Sequence, residues 1–89
     1  MAKFAVITTY GPDTEKRMAT RPTHRDYLRT LVDSGNLLHA GPFADDLGAL
    51  VIFEAESKEQ VEGFLADDPY TKAGCLAGAV VREWNRVMP

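Results

Sequence analysis

The stretch GALVIFEAESKEQVEGFL, residues 48–65, changes its periodicity at a single point. Up to Glu56 it is strand-like, rich in β-branched and aromatic types. Then Ser57-Lys58-Glu59-Gln60 forms a Ser-x-x-Gln capping box, and Val61, Phe64 and Leu65 follow on one helical face. A strand therefore runs straight into a helix. Within the strand, Ala49, Val51, Phe53 and Ala55 alternate on one side, yet Leu50 and Ile52 occupy the other. Both faces call for burial, one beneath helices and one against something else.

Working outward in both directions completes the pattern. Leu37 to Phe43 is a second strand-like run, joined to Gly48 by Ala44-Asp45-Asp46-Leu47, a polar connection suited to a hairpin. Before it, Tyr27, Leu28, Leu31 and Val32 recur at helical spacing, and Gly35 stands where a C-terminal glycine belongs, so a helix is predicted from about Arg21 to Ser34. Residues 10–20 are polar, carry the charged run Glu15-Lys16-Arg17 and read as a loop or frayed turn. Residues 3–9, KFAVITT, form the first strand and end at the breaker Tyr10-Gly11-Pro12-Asp13. Beyond the second helix, Asp68-Pro69-Tyr70 opens a short turn, and Leu76 to Val87 supply the final strand.

The order β-α-β-β-α-β is the ferredoxin-like arrangement: an α+β fold with a four-stranded antiparallel sheet and both helices on one face. At 89 residues the chain reads as a single domain, 1–89. A domain of this size buries only about 60% of its unfolded surface, so a partner subunit would help considerably. Together with the two-sided third strand, this predicts a homodimer, or a higher oligomer built from it, in which two sheets meet face to face.

Composition excludes several function classes. The net charge of −3 and pI of about 5.2 argue against nucleic acid as a partner. Cys75 is the only cysteine, so no internal disulfide or thiolate cluster can form. The N-terminus lacks a signal-peptide pattern, and no stretch reaches the roughly 18 apolar residues that span a bilayer. A cytoplasmic location without a membrane partner is expected.

Two residues stand out as candidates for chemistry. His24 lies three residues before Tyr27 and four before Leu28, on the stripe that faces the sheet. Placed in the first turn, with Pro22 setting that turn, it would feel the positive end of the helix dipole, which disfavours imidazolium and suits a general base. The plainer reading is a half-buried histidine bonded to nearby backbone. Asp68 precedes Pro69, and Asp-Pro at a helical start is well explained as a cap. In this topology, however, Asp68 can come near His24 and fix its tautomer.

Arg17 is a solvated charge unless its segment folds over the site, where its guanidinium would pair with an anionic oxygen of a substrate. His39 shares a face with Leu37 and Gly41 by alternation and is either a dimer-interface or a pocket residue. Phe64 and Trp84 read as core, and Cys75 as a small packing residue. The two histidines are 15 residues apart with no paired ligand spacing, so no metal site is expected. With no phosphate loop or Gly-x-Ser-x-Gly elbow either, cofactor-free chemistry on a small molecule is favoured.

Arg17 with Arg21-Pro22-Thr23-His24, Leu37-Leu38-His39-Ala40-Gly41-Pro42 and Asp67-Asp68-Pro69-Tyr70-Thr71-Lys72-Ala73-Gly74 together resemble the YCII-related family in order and spacing. The resemblance implies a dimeric α/β barrel of ferredoxin-like subunits with a His-Asp pair, here His24 and Asp68, as the active site. It departs at His39, where relatives often carry a small or hydroxyl residue, and in the short hairpin at Ala44 to Leu47.

The family includes a dehydrochlorinase acting on a chlorinated hydroxyhydroquinone. The resemblance thus implies a cofactor-independent lyase that eliminates HCl from a hydroxylated aromatic ring. Arg17, His39 and Tyr70 would serve as substrate contacts. The alternative is a non-catalytic dimer that binds a small ligand or serves as an accessory protein.

Overall fold

The computed structural model describes residues 1–89 and has the element order β1 (Ala2–Tyr10), α1 (Thr14–Asp33), β2 (Leu37–Pro42), β3 (Gly48–Ala55), α2 (Lys58–Asp67), α3 (Pro69–Lys72) and β4 (Leu76–Trp84). The four strands form one antiparallel sheet in the order β2-β3-β1-β4. This is the expected ferredoxin-like topology, with the single helical turn α3 added before β4.

Local chemistry explains most boundaries. The side chain of Ser57 accepts the backbone N–H of Gln60 at 3.1 Å, while the Gln60 side chain reaches back to the Glu56 N–H at 2.8 Å. At the other end of α1, Gly35 takes φ +84°, its N–H bonding Val32 and that of Asn36 bonding Leu31. That paired closure is a Schellman motif, and a left-handed residue there favours glycine. Gly48 has a different reason: a Cβ at this position would lie 2.0 Å from the Thr8 carbonyl oxygen, so β1 and β3 approach this closely only around glycine.

The core lies between the helices and one sheet face. Phe4 and Val6 of β1 pair across to Phe53 and Val51 of β3, and Ala55, Leu37, Leu31 and Val61 close the cluster. Phe64 stacks on Phe53 with ring centroids 5.6 Å apart. Such buried side chains each contribute roughly 1.5–3 kcal/mol.

Three expectations change. First, α1 begins at Thr14, capped by Asp13, whose side chain accepts the Lys16 N–H at 3.0 Å. The polar segment is therefore two turns of helix, and Pro22 lies inside it instead of at its start. Pro22 and Met18 are both exposed, so water can take the Met18 carbonyl that loses its helical donor. Second, β4 ends at Trp84, the partner of Lys3, short of the expected Val87. Third, Trp84 is not core. Its register with Lys3 puts it on the sheet face away from the helices, where it is exposed with Ile7, Leu50 and Val80.

The two-sided burial inferred for β3 holds only in part within one chain. Ile52 is buried on the helix-free face, but Leu50 beside it is exposed.

Candidate active site

The inward stripe of α1 runs Leu31, Leu28, His24, Arg21, Arg17, at alternating three- and four-residue steps. Its C-terminal half is apolar and packs. Its N-terminal half is polar and borders a cavity of about 410 Å³ between α1, the sheet and α3. That volume falls within the usual range for small-molecule sites. The apolar period ends where the stripe turns polar, which is why the sequence places the helix start two turns too late.

His24 and Asp68 meet at this cavity, with Nδ1 of His24 2.7 Å from Oδ1 of Asp68. The same Asp68 oxygen accepts the Tyr70 N–H at 2.8 Å, so it caps α3 and engages the imidazole at once. The Tyr70 ring lies flat on the imidazole, with centroids 3.8 Å apart and planes within 5°. The imidazole is thus held by a hydrogen bond in its plane and a ring across its face. Nδ1–H donation to the carboxylate leaves Nε2 as the nitrogen free to accept a proton.

His24 does not sit in a first turn. It is ten residues beyond Thr14, and the dipole's influence fades within the terminal turn, so the expected dipole effect does not operate. The ring is instead oriented by its hydrogen bond to Asp68.

Arg17 is buried, with 5% of its surface exposed. Its Nη2 donates to Asp46 Oδ2 at 3.2 Å, its Cζ stands 4.0 Å over the Tyr10 ring, and its Nε has no hydrogen-bond partner. It is therefore no solvated charge. Arg17 also lines the cavity, where a guanidinium can receive an anionic oxygen. Burial raises the pKa values of Tyr70 and Tyr10 above the ordinary tyrosine value, against the opposing pull of Arg17, so both phenols stay protonated at neutral pH.

His39 is not at this site. A bulge between Leu37 and His39 offsets the alternation, so Leu37 pairs with Phe53 on the helix face and His39 with Ile52 on the opposite one. Of the two readings left open, the cavity is excluded within this chain. Three residues that the sequence did not single out do belong here. Asp46 sits at φ +59° in the hairpin, a left-handed conformation that aspartate tolerates, and its carboxylate meets Arg17. Tyr10 underlies that guanidinium, and Thr8 is a buried polar residue on the cavity wall. Only the Asp-Asp turn pair gave a hint of Asp46.

The model of the YCII-related domain matches residues 2–85, nearly the whole chain. The chain belongs to the YCII family. Among YCII relatives it is similar to the protein YciI of Escherichia coli O6:H1, 36% identical over 83 residues that cover 82% of this chain and 85% of that protein. It is also similar to derivative of benzaldehyde biosynthesis cluster protein C of Emericella nidulans, 33% identical over 70% of this chain and 74% of that protein.

Among solved structures, this YCII chain superposes on 5-chloro-2-hydroxyhydroquinone dehydrochlorinase (TftG) of Burkholderia phenoliruptrix AC1100 with a TM-score of 0.82, at 30% identity over 93% of each chain. That structure is a complex with 2,5-dihydroxybenzoquinone. An antibiotic biosynthesis monooxygenase shares the fold at a TM-score of 0.61 and 15% identity, a likeness of fold alone.

Proposed function

We propose that this protein is a cofactor-independent lyase that eliminates HCl from a hydroxylated, chlorinated aromatic ring. The single observation carrying this reading is the His24–Asp68 pair at 2.7 Å, with Tyr70 stacked on the imidazole, at a cavity large enough for a substituted ring. Likeness to a dehydrochlorinase that binds a dihydroxybenzoquinone supports the substrate class.

In this mechanism the Arg17 guanidinium on the cavity wall receives an ionised phenol oxygen. In the keto tautomer, where the chlorine-bearing ring carbon has gained a hydrogen, Nε2 of His24 takes the proton of a hydroxyl conjugated to that carbon. The O–H electrons form a carbonyl, the neighbouring double bond shifts toward the chlorine-bearing carbon, and chloride leaves with the C–Cl pair. The organic product is a quinone, and the imidazolium is stabilised by Asp68 until it releases its proton. Positioned proton transfer of this kind contributes about 10² to 10⁴ in rate. Tyr70, protonated at neutral pH, is a hydrogen-bond donor for a second ring oxygen.

Chloride release and quinone absorbance, measured with chlorinated hydroxyhydroquinones, test the reading. Wild type should turn over at least one such ring, and His24→Ala should lose about 10²-fold or more. Equal release by wild type and His24→Ala would instead favour a non-catalytic ligand-binding protein. That second reading draws on one specific observation: Asp68 already has a complete structural role as the cap of α3.

The same proposal places the active unit in a homodimer. Ile7, Leu50, Val80 and Trp84 expose one apolar sheet face, and His39 lies beside them opposite Ile52. Sedimentation at micromolar concentration should give twice 9.8 kDa; a 9.8 kDa species alone would remove the dimer.

A further inference from the structure

Arg17, Arg21, Arg25 and Arg29 follow one another at four-residue steps along α1, about 6 Å apart on the helix axis, and all four border the cavity. They are four of the chain's ten basic residues, in a protein of net charge −3. The positive stripe is thus a local feature. Its outer members differ in how they are neutralised. Arg17 pairs with Asp46 and Arg29 with Asp26, whereas Arg21 and Arg25 have no carboxylate within 4 Å. Asp68 is engaged by His24.

The cavity therefore has two uncompensated guanidinium groups at its side, besides the buried Arg17 guanidinium that is paired with Asp46. One ionised ring oxygen satisfies Arg17. It leaves Arg21, whose Nη1 touches only the Met18 sulfur, and Arg25 without an anionic partner. A planar guanidinium matches a carboxylate through two parallel hydrogen bonds.

We infer that the site takes an aromatic acid: a hydroxylated ring whose carboxylate lies toward Arg21 and Arg25 while its phenol oxygen meets Arg17. This inference rests on the aromatic-ring reading of the cavity and specifies the substrate within it. Arg21 and Arg25 are then specificity-determining residues.

A matched pair of ligands tests it. Calorimetric titration of the wild-type protein with 2,5-dihydroxybenzoate and with its methyl ester should show the acid binding about tenfold tighter at low ionic strength. That preference should shrink as salt is raised. Arg25→Gln alters an exposed residue without a protein partner and should weaken the acid about tenfold while leaving the ester unchanged. Arg21→Gln should act in the same direction. Equal binding of acid and ester by wild type overturns this inference alone. So does an acid preference that survives both substitutions. Failure of both compounds to bind at millimolar concentration overturns the aromatic reading as well.

Discussion

Ser57 and Asp68 do the same local work at the starts of two successive helices. Each stands just before its helix, and each side chain accepts a first-turn backbone N–H, at 3.1 Å from Gln60 and 2.8 Å from Tyr70. The role of Ser57 ends there. The Asp68 oxygen takes a second partner, Nδ1 of His24, reaching across 44 positions of sequence. A satisfied local motif therefore says nothing about whether the residue has a further role; only the fold supplies the second partner.

Truncation of each cap separates the two roles. Ser57→Ala should cost about 1 kcal/mol of stability, the usual value of an N-cap, and leave ligand binding and turnover unchanged. Asp68→Ala should cost more, on the order of 3 kcal/mol, because it removes the cap and also leaves a half-buried imidazole and a buried N–H without their acceptor. Denaturant unfolding of both variants checks the ranking. Equal losses would mean that the imidazole contact adds nothing to stability.

A smaller effect is expected from Tyr27, which ties α1 to the end of α2 just before Asp68 by donating its hydroxyl to the Phe64 carbonyl at 2.7 Å. Burial, with the charges of Asp67 and Asp68 adding to it, pushes its pKa from 10.0 up to about 12. The folded state thus holds this proton more tightly than the unfolded chain. The resulting stabilisation is fully present below pH 10 and is lost as pH rises through about 12. Tyr27→Phe should flatten the alkaline decline in thermal midpoint across that window. A decline identical to wild type would show that other groups cause it.

The fold was largely legible because its signals are local. The capping box at Ser57, the glycine at position 35 and the hairpin turn at Ala44 to Leu47 each report on a few neighbouring residues, and together they order the elements. The site was legible where it coincided with such signals, as at Asp68, or lay on the apolar stripe, as at His24. What escaped depended on partners distant in sequence. The first turns of α1 show no apolar period because their inward residues line a cavity. The bulge beside His39 reverses its face without any mark in residue type. Arg17 looks solvated until Asp46, 29 residues later, is brought to it. Trp84 reads as core by composition but falls on the sheet face that no helix covers.

The central claim is that the second partner of Asp68 serves chemistry, and Asp68→Asn addresses it most directly. Asparagine keeps an oxygen to accept the Tyr70 N–H and cap α3, but loses the charge that supports an imidazolium at His24. With a chlorinated hydroxyhydroquinone that the wild type converts, chloride release should fall by about 10²-fold in Asp68→Asn, with the fold intact by circular dichroism. Chloride release at the wild-type rate in that variant would contradict it.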